Sequence, residues 1–187
     1  PVNADREDHT ATARDTNDVV IVGGANAGGF VGGAERYVRV GQRFDAAGTM
    51  VVPRALHTAT RLGDDRVLIT GGQSAANAAE ASTELYDRRQ PLVSAFAAGV
   101  PLAQARRRHT ATFTNQNTVI VCGGDDAQQP LGLPAAIERF SADGLSVQTI
   151  GNLQVPRTRH RAVWSGAIRK VVVLGGDDQT GNPTNVV

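Results

Sequence analysis

The sequence predicts an all-β chain built from tandem copies of one four-stranded antiparallel unit, and three observations predict it. First, a stretch running from His57 to Gly72 recurs nearly verbatim from His9 to Gly24, His109 to Gly124 and His160 to Gly176. Second, successive histidines stand 48, 52 and 51 residues apart, the spacing of a supersecondary unit copied along a chain. Third, the apolar runs inside the copies are short and β-branched, which suits strands and disfavours helices.

Within a copy, His57-Thr58-Ala59-Thr60 opens the unit with small alternating side chains, as a strand in a crowded place requires. Crowding of that kind occurs at the axis of a β-propeller. Gly63-Asp64-Asp65 and Asn115-Gln116-Asn117 carry hairpin-turn chemistry. The second strands follow as Val19-Val20-Ile21-Val22, Val67-Leu68-Ile69, Val119-Ile120-Val121 and Val171-Val172-Val173-Leu174, expected to be buried on both faces. Each ends at a glycine pair: Gly23-Gly24, Gly71-Gly72, Gly123-Gly124 or Gly175-Gly176. A positive φ or a close backbone neighbour would exclude a β-carbon there.

A third strand is signalled by Glu35-Arg36-Tyr37, Glu84-Leu85-Tyr86 and Glu138-Arg139-Phe140, which begin 11, 12 and 14 residues after the glycine pairs. A fourth follows around Phe44, Phe96 and Val147, and each unit hands on to the next through Arg54, Arg106 or Arg157, three residues before a histidine. Arg6 holds the same place before His9. Four strands connected in order make an antiparallel meander, one blade of a propeller.

The Gly-Gly-terminated strand, the aromatic of the third strand, the bulky residue of the fourth and the period near fifty together resemble kelch repeats. More narrowly, Arg-x-x-His-Thr-Ala-Thr followed by the Gly-Gly strand is similar to bacterial kelch-repeat proteins and to the kelch-type domain of galactose-oxidase-like proteins. The Trp usual on the fourth kelch strand is replaced by Phe44, Phe96 and Val147. The resemblance implies a kelch-type β-propeller as a single domain over 1–187, with blades at about 9–49, 50–100, 101–153 and an incomplete 154–187. No Glu-x-aromatic segment follows Gly176, so about three and a half blades are visible. Rings of this type have roughly four to eight blades. Further blades from the same or another chain are therefore expected to close the ring.

Composition narrows the function classes. The chain has 187 residues, 41% of them hydrophobic and 4% aromatic, enough for a modest core shared between repeats. A formal charge of +1 gives no argument for nucleic acid. Neither a transmembrane run nor a lipid-attachment motif is present, and no membrane insertion is expected. No signal peptide is visible either, but the chain opens on Pro1 rather than Met, so a removed leader stays open. An extracellular or cell-surface location is expected from the resemblance, with the cytoplasm left open. Cys122, the single cysteine, reads as a small buried hydrophobe. The glycine-rich stretch Ala25 to Gly33 lacks the Lys-Ser or Lys-Thr of a phosphate loop and reads as a flexible connector.

Residues that recur once per blade solve a problem every blade has, whereas an asymmetric ligand needs residues that differ. Arg54, Arg106, Arg157, His57, His109, His160, Glu84, Glu138 and the glycine pairs are therefore expected to be architectural, the arginines bonding carbonyls or the repeating Glu35, Glu84 and Glu138. Four histidines gathered at an axis would be the alternative, as a metal site. The non-recurring residues on the long-loop end are Arg107, Arg108, Asp125, Asp126, Arg159, Asp177 and Asp178, the candidates for partner binding. The expected function is a non-catalytic binding or scaffold module for a protein or glycan, without a cofactor. The alternative is the propeller domain of a galactose-oxidase-like copper oxidase whose catalytic residues lie outside this chain. In that family copper is held by Tyr and His with a Tyr-Cys cross-link, and neither Tyr37, Tyr86 nor Cys122 stands where that chemistry would carry over.

Overall fold

The computed structural model describes residues 5–16, 18–75, 78–126 and 132–184. Its four-stranded sheets are antiparallel meanders. Unit one comprises Thr10–Ala13, Asp18–Val22, Gly33–Val38 and Arg43–Thr49, paired in that order. Unit two comprises Thr58–Arg61, Val67–Thr70, Thr83–Tyr86 and Phe96–Ala98, and unit three Thr110–Phe113, Val119–Cys122, Ala136–Phe140 and Val147–Asn152. Unit four has a hairpin of two strands, Arg161–Ser165 and Lys170–Leu174. The first strands of successive units lie side by side, so the sheets are blade-like and share one end of their strand order.

Register repeats as closely as sequence does. Thr10 faces Val22, Thr58 faces Thr70, Thr110 faces Cys122 and Arg161 faces Leu174. On the other side of the second strand, Glu35, Glu84 and Glu138 face Ile21, Ile69 and Val121, while Tyr37, Tyr86 and Phe140 face Val19, Val67 and Val119. Because side chains alternate along a strand, Glu and the aromatic fall on the same face of each sheet.

The core sits between the units. One cluster joins Val20, Val22, Ala34 and Ala47 of unit one to Met50, Val67, Ile69, Tyr86, Ala95 and Phe96 of unit two. A second joins Leu62, Leu68 and Leu85 of unit two to Leu102, Val119, Val121 and Phe140 of unit three. The second strand of unit two is thus apolar on both faces because each face packs on a different neighbour.

Two sequence expectations need correction. The second strand of unit four, Lys170–Leu174, is half-buried to exposed rather than buried. Its hairpin has no third strand among the described residues, and Val163 and Ile168 stay more than half exposed, at 55% and 59%. The stretch Ala25 to Gly33 is also more than a connector: Ala25–Asn26 pairs with Gly29–Phe30 in a small ribbon. Asn26 Oδ1 accepts the Gly28 amide at 2.8 Å, and Ala25 bridges back to Glu7 through the backbone. These local bonds give the backbone polar groups partners that a loose loop would leave to water. No helix among the described residues is long and apolar enough to cross a membrane.

Candidate functional site

The recurring polar residues are used up in the frame, the arginines within a unit and the histidines between units. Arg54, with its side chain fully buried, donates to the carbonyls of Val52, Gly71 and Ser82 at 3.1, 2.8 and 2.8 Å and to Glu84 Oε1 at 3.0 Å. Glu84 in turn accepts the Val51 and Val52 amides at 2.8 and 3.0 Å. Arg106 repeats the pattern with the carbonyls of Gly123 and Ala136 and with Glu138, 2.9 Å away. Arg6 does so with the carbonyls of Gly23 and Gly33 and with Glu35 at 2.7 Å. A buried guanidinium is costly unless its donors are filled, and here the fork is filled by carbonyls and a carboxylate together. Arg157 donates to the Val155 and Gly175 carbonyls at 3.2 and 3.1 Å.

The histidines do not converge on one point. Each of the last three leans on the unit before it: His57 Nε2 lies 3.0 Å from the Thr10 hydroxyl, His109 Nε2 3.0 Å from Thr58 and His160 Nε2 2.8 Å from Thr110. Among the described residues no group of three or more His, Cys, Asp or Glu is arranged to hold a metal ion. Burial, followed by the charge of Arg54, pushes His57 down to about 3. Burial and Arg157 push His160 down to about 4, and His109 is driven well below its ordinary range for the same reasons. The three rings are therefore neutral at physiological pH, when only neutral imidazole avoids a buried charge.

The first glycine of each pair makes that contact possible. Gly23, Gly71 and Gly123 have φ near +60°, at 65°, 59° and 63°. A β-carbon at Gly71 would run into the Arg106 carbonyl oxygen and lie 2.7 Å from the His109 ring, and Gly23 meets Arg54 and His57 in the same manner. The second glycine's amide is then capped across the junction: Gly24, Gly72 and Gly124 donate to the Arg54, Arg106 and Arg157 carbonyls at 2.8, 2.9 and 2.8 Å.

The long-loop end collects the residues that do not recur. Backbone bridges there join Glu7 to Ala25, Ala55 to Gln73, Arg107 to Asp125 and Thr158 to Asp177, so each unit's entry segment is tied to the loop after its own glycine pair. Arg107, Arg108 and Asp125 come together. Arg107 Nε donates to Asp125 Oδ1 at 2.7 Å, Arg108 Nη1 approaches Asp125 Oδ2 at 3.3 Å, and the Thr158 hydroxyl donates to Asp125 Oδ2 at 2.7 Å. Arg107 also bonds Gln73 Oε1, so this node spans units two, three and four. Burial works against the Asp125 charge, but the bonds from Arg107 and Thr158 outweigh it and hold the carboxyl below its ordinary value.

Arg159 and Asp177 form a second, exposed pair at 3.2 Å. Asp178 stands apart and ties its own loop, accepting the Thr180 and Asn182 amides at 2.8 and 3.0 Å and the Thr180 hydroxyl at 2.6 Å. The Thr180 hydroxyl chiefly, with those amides, holds its carboxyl below the usual value. Asp126 is half-buried beside Asp125. Thr158 and Gln73 complete the node and were not singled out by sequence; nothing in their local pattern distinguishes them from other loop polar residues. Between the first strands of all four units runs a cleft of about 340 Å³ lined by Thr10, Thr58, Thr60, Thr110 and Thr112 among others. No protein-family model and no curated protein sequence matches the chain.

Proposed function

We propose that the chain is an arc of a kelch-type β-propeller and serves as a non-catalytic binding module, presenting the long-loop end to a protein or glycan partner. One observation carries the reading: the side chains that recur satisfy one another, the arginines with glutamates inside each unit and the histidines with threonines between units, whereas Arg108, Arg159 and Asp177 remain partly open at one end of the sheets. A rigid frame with variable loops at one end is the arrangement in which loops carry recognition. Three four-stranded units and one hairpin among the described residues suit part of a ring of roughly four to eight blades, whose other strands would come from the same or another chain. An extracellular or surface setting goes with this reading.

The test is binding by the purified protein to arrayed polysaccharides and to surface proteins. A partner retained by the native chain and lost by the Arg108→Glu, Arg159→Glu double variant, at unchanged thermal midpoint, supports the reading. Binding indifferent to both changes overturns it. Stoichiometric copper together with peroxide release from simple alcohols or aldehydes would instead favour an oxidase.

A further inference from the structure

Three junctions between units lie wholly within the described residues, and each is closed by the same small set of contacts. A histidine more than nine-tenths buried rests on the unit before it: His57 on Thr10, His109 on Thr58 and Thr70, and His160 on Thr110 and Cys122. Around each ring, backbone amides reach across the junction. Gly24, Gly72 and Gly124 donate to the Arg54, Arg106 and Arg157 carbonyls, and Leu56, Arg108 and Arg159 donate to the Asp8, Leu56 and Arg108 carbonyls. The rings stand so close to Gly23, Gly71 and Gly123 that even a β-carbon there would strike them, which leaves no room for water on that side.

A proton arriving at such a ring meets no anion. Arg54 and His9 bear on His57; Arg106, His57 and His160 bear on His109; Arg157 bears on His160, whose Nε2 lies 3.8 Å from the Cys122 sulfur. Glu84 and Glu138, the carboxylates that Arg54 and Arg106 hold, are engaged by those guanidinium groups and by backbone amides. An imidazolium here would be a second cation beside a guanidinium in a dry place, and burial of that kind disfavours the charged form. Separation of the units returns the ring to water and removes the penalty. We propose that His57, His109 and His160 are acid-operated catches: proton uptake parts neighbouring units along these junctions while the strand pairing inside each unit stays intact. The sign of the linkage is fixed. His57 and His160 titrate near 3 and 4 when buried and near the ordinary 6.5 when free, so under pH 6.5 the open form binds more protons. Opening should then gain about tenfold per pH unit for each ring released. Opening confined to one set of contacts is a sub-global event, with its own free energy below that of complete unfolding.

The catch uses none of the long-loop side chains offered to a partner, and the two readings fail separately. Its test is native-state amide exchange of the purified protein, followed by NMR at pH 7, 6 and 5 and expressed as protection factors. Between pH 7 and 5 protection should fall by up to about twentyfold at the amides of Gly24, Leu56, Gly72, Arg108, Gly124 and Arg159. Val67–Thr70 and Val119–Cys122, paired inside their units, should change by less than about threefold. His109→Gln keeps an acceptor for the Thr58 hydroxyl but takes up no proton. It should abolish the acid loss at Gly72 and Arg108 and leave that at Gly24 and Leu56 in place. Should that variant not fold, the labelled histidine rings of the unaltered protein decide: their shifts should stay those of neutral imidazole until the junction amides open, and change together with them. Equal loss of protection at the junctions and in Val67–Thr70, acid loss at Gly72 unaltered by His109→Gln, or rings that become charged while the junction amides stay protected would overturn the proposal.

Discussion

Gly71 and Gly175 hold equivalent positions with nearly the same backbone, φ 59° and 64°, but different surroundings. A side chain at Gly71 strikes the Arg106 carbonyl and the His109 ring, whereas one at Gly175 meets nothing within 4 Å. Gly175→Ala should therefore cost only the left-handed conformation, about 1–2 kcal/mol. Gly71→Ala adds displacement of the next unit and should cost clearly more, both read from urea unfolding midpoints; equal costs would remove the close approach as the reason for glycine. The buried histidines make a second prediction. Their folded values of about 3 and 4, for His57 and His160, lie below the ordinary 6.5, so the unfolded chain binds more protons once the pH drops under 6.5. Stability should be full above that point and fall as the solution is acidified, by up to about 1.4 kcal/mol per pH unit for each such ring. Urea midpoints between pH 7 and 5, above the main carboxylate range, check this, and a flat profile would count against neutral buried rings. The Arg–Glu pairing was legible from sequence, because both partners recur with the period. The residue before each histidine was not: Asp8, Leu56, Arg108 and Arg159 all have φ between 53° and 56°, and their types share no signature of a left-handed backbone.

At the level of strands and turns, the hairpin between first and second strands shows how one geometry tolerates different side chains. Asp65, Asn117 and Arg169 occupy the same position, two residues before the second strand's first valine, with φ of 71°, 59° and 53°. Asn adopts this conformation more readily than Arg. Arg169→Asn should then stabilise the unit-four hairpin by about 0.5–1 kcal/mol, measured as a raised thermal midpoint; a loss would mean the Arg169 side chain is held in place. The strands themselves were readable because short β-branched runs ending in Gly-Gly leave few alternatives. The exposure of Lys170–Leu174 was not readable, since its apolar run resembles its sister strands and burial depends on what lies alongside. The ribbon at Ala25–Phe30 escaped for a related reason: a glycine-rich stretch shows its backbone pairing only once Glu7 is known to lie beside Ala25.

Over the whole molecule, the apolar clusters belong to junctions and not to units, and stability should be graded accordingly. In proteins of stacked repeats each copy draws its stability from its neighbours. Amide exchange should be slowest in Val67–Thr70, which is buried throughout between units one and three, and fastest in Lys170–Leu174. Uniform protection along the chain would argue for a single cooperative core. That the period implies a shared interior was legible from sequence; which residues meet across each junction was not, because Val67 and Leu68 look alike on paper but face different neighbours.

The amides of Gly24, Gly72 and Gly124 are each capped by a carbonyl that appears in the chain about thirty residues later. During synthesis an emerging unit therefore lacks its last partners until the ribosome has delivered the start of the next. Maturation should trail translation by one unit throughout, and a pause placed just after a glycine pair would leave a half-closed sheet exposed to chaperones.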